Sequence, residues 1–504
     1  SAGRRAHLPL GPWREEIASE AGPAPGPPRG PGKEVQWQTD LGTDLGITSA
    51  HHAVAIDEAC RVVARSRAHP TVGSLEALER LALEGAPEDT ELEVVIDPTG
   101  AAWLPVAVFF IRRGHRVFRP DASRTAHLRR ALAGRRKTNR TCAEVLAKLA
   151  VWNRGALHEL ELPTGEAAAL DRLVRATERL TEEIARHEGR IRDLARTAMP
   201  LVGQAISKTI GRADLEVLRS YGDPRELLEL GFEGLTALIS GASRGEHGRA
   251  KARAYLRAAE EAVALYGDPG AVAFEVLAEE LAAEISRLEV AEATLRPLER
   301  RREEAYRKVD PTRLARSLPG IARVGAPLGV AFTGRPGRFP SGDRYASYAG
   351  LVPGSSETGE TDRKGQPMTK AGNRGLRRMF VRAADTARKL DPQLARIYWV
   401  QMVERGAHHN KALCVVAAHL ARRFWATMAR GTPYVVRDVD GRPVDRAEAK
   451  AIIAARYTVP EEVRARRRSR KKRRTALTKS PWDMSSTQAL EGLHDRGHRP
   501  PHPR

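Results

Sequence analysis

The chain has 504 residues, with 84 Lys and Arg against 63 Asp and Glu, and so a formal net charge of +21. Its 41% hydrophobic and 5% aromatic content argues against a wholly disordered chain and against an aromatic-rich β-barrel or lectin. Three scattered cysteines (Cys60, Cys142, Cys414) exclude a disulfide framework or zinc ribbon, and no apolar run of about 18 residues offers a membrane span.

The first residues lack the apolar core of a signal peptide, so a cytoplasmic, reducing location is expected, with no membrane partner. A charge excess of this size favours a polyanionic partner, most simply nucleic acid. Residues 1–36, rich in Pro, Gly and Arg, read as a disordered lead-in. Residues 37–152 alternate strand and helix. Strands are expected at 51–57, at 61–67 as its hairpin partner, at 92–97 and at 115–118. Helices are expected at 102–113, 122–133 and 143–152, giving an α/β domain with a mostly buried sheet.

Residues 153–308 read as a helical coiled-coil spacer. Leu170, Leu173, Thr177, Leu180, Ile184, His187, Ile191 and Leu194 form a heptad seam with two polar interruptions. A second seam runs through Phe274, Leu277, Leu281, Leu288, Leu295 and Leu298, broken by Glu284. The two helices make either an antiparallel hairpin or a dimerising coiled coil, with a helical module inserted between them. Residues 309–434 read as a mostly helical domain, and 435–504 as a basic disordered tail with nine basic residues in 464–474. Basic residues also crowd 124–137 and 363–378, so the charge is not confined to the tail.

Three motifs carry chemistry. Residues 318–326, LPGIARVGA, resemble the hairpin of a helix-hairpin-helix unit, whose exposed N–H groups can hold phosphate; an ordinary Gly-Pro turn is the plainer alternative. The loop 350–378 sets Ser355, Ser356, Thr358 and Thr361 among glycines, followed by Arg363, Lys364 and Lys370. A hydroxyl attacks a phosphodiester when nearby cations stabilise the transition state, although the same composition suits a polar surface loop. Asp44 and Asp97 stand at strand ends, where acids of an α/β sheet collect a divalent ion or simply cap turns.

The order of DLG, VVIDPTG, KTNRTCAEVLAKLA, a helical spacer, SLPGIARVG, YAGLVP and TKAGNRGLRR resembles the DEDD transposases of the insertion-sequence one-hundred-ten family, relatives of the pilin-gene inverting recombinases. The resemblance covers most of 37–434 and implies a fold of class α/β plus α. That fold has an N-terminal ribonuclease H-like (RuvC-like) domain, the helical spacer and a C-terminal transposase domain with the helix-hairpin-helix-like turn. It further implies Mg²⁺, DNA and an element-encoded guide (bridge) RNA as partners, a homo-oligomer, a bacterial host, and strand exchange through a covalent protein–DNA phosphoester.

Carried over by motif, the first acid matches Asp44, with Asp40 as its rival, and the second matches Asp97, where the family has Glu. The third and fourth acids fall on Asn139 and Cys142, so both carboxylates are replaced. Glu144 is a possible substitute. The family's serine nucleophile falls on Thr358, with Ser356 and then Ser355 as alternatives. Arg363, Lys364 and Lys370 would neutralise phosphate, and Arg374, Arg377 and Arg378 would grip the DNA backbone. A decayed copy that binds nucleic acid without recombining it is the second reading, and a nuclease acting through water the third.

Overall fold

A computed structural model describes residues 39–465 except 88–89, 98–99, 121, 135–137, 153, 155–156, 158, 207–208, 268–271, 355–356, 359–360, 363–365, 367 and 370. The expected lead-in and the basic run from 466 onward lie outside the described residues. The chain divides into two units, residues 1–162 and 163–504.

In the first unit, β1 (Thr39–Asp44), β2 (His51–Ile56), β3 (Val62–Ala68), β4 (Leu92–Ile96) and β5 (Arg116–Phe118) form one sheet in the order β3-β2-β1-β4-β5. β1, β2 and β3 pair antiparallel, through short connections. β1, β4 and β5 pair parallel, which requires helical crossovers. Those crossovers are α1 (Val72–Ala82) and α2 (Trp103–Arg112). Helix α1 adds to the sequence expectations; its signal is the three-and-four spacing of Leu75, Leu78 and Ala82, all buried. β1 forms despite its polar residues because Leu41 and Thr43 point into one core while Gly42 receives a helix on the other face.

That helix is α4 (Asn139–Trp152), which follows α3 (Ala122–Ala133). α4 lays Ala143 and Ala147 on Val54 and Ile56, and Leu146 and Ala150 on Val95 and Phe118. It begins four residues earlier than the expected 143. Thr138 starts it, its Oγ1 accepting a hydrogen bond from the Thr141 amide at 3.1 Å. The opposite face of the sheet packs Leu41, Val94 and Ile96 against Leu75, Leu78, Val106 and Phe110 of α1 and α2. The period-two pleat thus separates two cores, and only one of them is covered by α4.

In the second unit, α5 (Gly165–Ala198) and α9 (Phe274–Val309) pair as an antiparallel hairpin within one chain. Both polar interruptions of the first seam find polar partners on α9. Thr177 Oγ1 accepts from Arg302 at 2.9 Å, and His187 Nδ1 lies 2.6 Å from Glu284. Polar residues at core positions of paired helices fix register in this way. The module α6 (Arg212–Ser220), α7 (Pro224–Ala242) and α8 (Arg249–Tyr266) builds its own core on Ile191, Leu281 and Leu288 at the far end of the hairpin.

The near end, with Leu170, Val174, Ala305 and Tyr306, joins the core of the remaining helices. These are α10 (Leu314–Ser317), α11 (Gly325–Thr333), α12 (Gly342–Tyr348), α13 (Arg374–Ala387), α14 (Pro392–Met402), α15 (His409–Arg430) and α16 (Arg446–Arg456). At its centre the fully buried Tyr345 and Phe424 stack, and Phe380 meets both edge to face.

The tail expected from 435 is corrected by α16. Asp445 caps it, accepting from the amides of Ala447 and Glu448, each at 2.8 Å, and Val459 is buried in the core. The alanine-rich AEAKAIIAAR is a good helix former, and this outweighs the charge of its neighbours. Among the described residues no helix is long and apolar enough to cross a membrane.

Candidate active site

The register of β1 and β4 decides which acids meet. Thr43 pairs with Ile96, and the Asp97 amide donates to the Thr43 carbonyl at 3.1 Å. Asp44 and Asp97 therefore follow one another at the carboxyl ends of adjacent parallel strands. Alternation places both on the face that carries Gly42 and Val95, which is the α4 face. Both are partly exposed. Asp40, the rival for the first position, lies on that face at the opposite end of β1, beside Glu93. Asp40 and Glu93 are 3% and 2% exposed, which is incompatible with gathering an ion from solvent.

Local pattern shows only half of this pair: Glu93 is an acid inside the otherwise apolar LEVVI, whereas Asp40 stands in the polar TDLGTD. Arg116 reaches Glu93 at 2.8 Å and Arg154 also pairs with it. Asp40 Oδ1 and Glu93 Oε2 have no hydrogen-bond partner among the described residues. Burial, and next the Glu93 charge, push the Asp40 carboxyl from 3.8 to about 7, with Arg154 opposing and Glu58 adding to the rise.

α4 runs antiparallel to β1. Ala143 and Ala147 lie over Gly42, and Arg154, just past the helix, acts on Asp40. Its first turn, with Asn139 and Cys142, consequently projects toward the Asp44–Asp97 end. Asn139 is exposed and Cys142 is buried. Glu144 does not complete the set: it pairs with Lys148 at 2.8 Å and faces Arg65 of β3 at 3.9 Å. Among the described residues no three His, Cys, Asp or Glu side chains converge at a spacing that could hold a metal ion.

In the second unit the loop 350–378 has more structure than a loop. β6 (Glu357–Thr358) and β7 (Thr361–Asp362) form a tight hairpin with Thr358 opposite Thr361. Thr358 is thus the last strand residue before the turn. Below it the stem is closed by the Pro353–Met368 bridge and by the Asn373 amide donating to Tyr348 at 2.7 Å. Gly350 and Gly372, at φ +68° and +90°, let the two stem strands touch backbone to backbone. A Cβ at Gly372 would meet the Tyr348 carbonyl at 2.4 Å. Ser355, Ser356, Arg363, Lys364 and Lys370 lie outside the described residues.

α13 leaves this stem with Asn373 as its cap, accepting from the Leu376 amide at 3.0 Å. Its apolar stripe (Leu376, Met379, Phe380, Ala383) is buried, and its arginines lie on the other side. Arg374 is exposed. Arg377 packs over Gly350 and reaches the Ala371 carbonyl at 3.5 Å. Arg378 is engaged by Glu182 at 2.8 Å and by Glu178, both on α5. The LPGIARVGA segment forms the turn between α10 and α11, with Ala322, Arg323 and Val324 exposed at its tip.

Comparison with known proteins gives this geometry its context. A family model described as a transposase matches residues 41–200, and the transposase IS116/IS110/IS902 family model matches 312–399. The chain is 26% identical to the insertion element IS116 uncharacterized 44.8 kDa protein of Streptomyces clavuligerus over 391 residues, covering 77% of this chain and 94% of that protein. It is 27% identical to the insertion element IS110 uncharacterized 43.6 kDa protein of Streptomyces coelicolor, covering 79% and 95%. The insertion element IS900 uncharacterized 42 kDa protein of Mycobacterium paratuberculosis is 23% identical, covering 77% and 94%.

An α/β unit with paired edge aspartates, followed by a helical unit with a hydroxyl-bearing hairpin, is here the framework of an insertion-element transposase. The chain belongs to the IS110 family of transposases. DNA is therefore its partner.

Proposed function

We propose that this transposase cleaves and rejoins DNA strands through a covalent phosphoester, guided by an element-encoded RNA and working as a homo-oligomer in the bacterial cytoplasm. The observation that carries the reading is the adjacency of Asp44 and Asp97 at the carboxyl ends of neighbouring parallel strands. The strand order, with three antiparallel strands followed by two parallel ones, supports a ribonuclease H-like assignment for the first unit.

Mg²⁺ commonly uses one or two protein carboxylates plus substrate phosphate and water. Asp44 and Asp97 suit that demand, and the Asn139 amide oxygen offers a neutral third donor. Cys142, a soft and buried thiol, does not suit it. When bound, the ion would supply charge neutralisation at a phosphate. In the second unit, Thr358 Oγ would attack phosphorus, losing its proton to a base. The phosphorus–oxygen bond to the leaving strand would break, and that strand would depart with a free hydroxyl end. Ser356 and Ser355 are the alternative nucleophiles; Arg363, Lys364, Lys370 and Arg374 would offset the phosphate charge.

Incubating the protein with its element-end DNA and guide RNA, then mapping the trapped adduct by mass spectrometry, tests this reading. The adduct is expected on Thr358, and Thr358→Val should abolish it. An adduct away from Thr358, Ser356 and Ser355 would refute the nucleophile assignment.

A second reading, a copy that binds nucleic acid without cutting, is favoured by two neutral residues in the α4 turn and by the engagement of Glu144 elsewhere. Asn139→Asp combined with Cys142→Asp is then expected to raise strand exchange at least tenfold, on the order of one restored charge contact. Full-rate recombination by the unaltered protein would eliminate this second reading.

A further inference from the structure

The stretch SRGEHGRAKARAYLR leads into α8 with basic residues that the chemistry proposed above does not use. α8 buries Ala252, Tyr255, Ala258 and Ala262 in the core of the inserted module. Lys251 serves that core. Its ammonium meets the fully buried Asp214 at 2.7 Å, and the Tyr255 hydroxyl donates to the same carboxylate oxygen at 2.8 Å. Arg249, Arg253 and Arg257 instead stand on the exposed side, one helical turn apart. The first two guanidiniums lie over a single ring, that of Phe232 on α7, at 4.6 and 5.5 Å from its centroid. Glu233 engages Arg249 at 3.2 Å in a solvent-exposed pair. The other acids of α7, α8 and their connection are Glu226, Glu229, Glu246, Glu260 and Glu261. Among the described residues none of these pairs with Arg253 or Arg257.

This arrangement works against the helix that carries it. Like charges at i and i+4 repel, and Arg249 opposes the helix dipole in a first turn that holds no acid. An anionic partner would reverse both effects. We infer that the Arg249–Arg253–Arg257 face of α8, propped by Phe232, binds the phosphate backbone of duplex DNA away from the point of strand cleavage. Gathering two guanidiniums on one ring restricts their rotamers, so less freedom is lost when they meet phosphates. The exposed Glu233 pair is worth little in water and is readily exchanged for phosphate. The module's core includes Ile191, whereas Val174 joins the core of the helices that follow, roughly 25 Å away along α5. A contact made by the module therefore falls on flanking duplex. The inference rests on DNA as the partner of this transposase, and not on the guide RNA, the ion or the nucleophile.

The test uses the full chain and a DNA duplex of arbitrary sequence, because phosphate contacts are sequence-independent. Arg249→Ala, Arg253→Ala and Arg257→Ala should each weaken binding about threefold near physiological salt. Each should also reduce the slope of log affinity against log salt by about 1. The triple alanine variant should lose about thirtyfold, with a melting temperature unchanged or raised, since alanine favours the helix and the repulsion is gone. The triple lysine variant keeps the charge and should restore the slope. A lower melting temperature with an unchanged slope in the triple alanine variant would assign the face to stability and overturn the inference. So would a lysine variant with the alanine slope. If the alanine variant loses affinity for an RNA duplex of the same length but none for DNA, the choice of DNA is wrong. An intact slope effect without an adduct at Thr358 would count against the nucleophile assignment alone.

Discussion

Gly42→Ala is expected to strip α4 from the sheet. A methyl group at Gly42 would stand 2.0 Å from the Ala143 carbonyl oxygen and 2.3 Å from the Ala147 amide nitrogen. Both contacts are helix backbone, so no side chain can turn aside. Either β1 or α4 must move, and α4 carries the packing of Leu146 and Ala150 on Val95 and Phe118. The cost should be at least about 3 kcal/mol, at the upper end for overpacking and a large part of a small domain's stability. Hydrogen exchange of the α4 amides is the suitable readout, since it reports this unit separately from the helical one. Gly73→Ala is the control: it lies in α1 with nothing within 4 Å of the added methyl, and should be neutral or slightly stabilising. Unchanged α4 protection in Gly42→Ala would show that the helix does not dock as described.

Asp40→Asn should stabilise the protein most at pH 8, with a gain that shrinks steadily as the pH falls through 5 toward 4. The folded Asp40 carboxyl titrates near 7 against an ordinary 3.8, so the native state holds its proton more tightly than the unfolded chain does. Stability tied to that proton is complete below the unfolded value and is lost as pH rises through about 7. The full difference is about 4 kcal/mol. Asparagine removes the titration, and its amide can donate to Glu93 Oε2, which lacks a partner among the described residues. The charged groups facing the pair are Arg116 from β5, Arg154 beyond α4 and Glu58 from the β2–β3 turn. Melting temperature across pH 5 to 8 is the measurement. Wild-type and variant curves that run parallel would contradict a proton held at Asp40.

Much of the fold was legible in particular residues. The apolar LEVVI run announced β4, and the short apolar run in HHAVAI announced β2, because strands buried on both faces read as near-continuous apolar runs. The heptad seams announced α5 and α9 because a repeating apolar stripe is a local property of a helix. Helix α1 was less visible, since its apolar positions are interleaved with glutamates. The helix α16 was hidden by a composition that resembled the basic tail behind it. Of the candidate site, the motifs pointed to Asp44, Asp97, Asn139, Cys142 and Thr358. Gly42 left no such trace, and Asp40 and Glu93 were visible singly but not as a pair, because each draws its meaning from a neighbour distant in sequence.

The sequence by itself determined most of the elements and the family resemblance, and through that resemblance it set Asn139 and Cys142 where acids are expected. These are properties of residue identity and local period, which need no partner to be read. Only the tertiary structure shows how differently Asp44 and Asp40 are set. Both sit on the same face of one strand, but Asp44 lies next to Asp97 at partly exposed strand ends, whereas Asp40 pairs in register with Glu93 and is buried. Only the tertiary structure turned two unpaired seams into an intrachain hairpin, because Thr177 and His187 find Arg302 and Glu284 across a connection of more than 70 residues. Local pattern specifies which face is apolar; which distant segment covers it is settled by packing and by the pairing of the few polar groups that are buried with it.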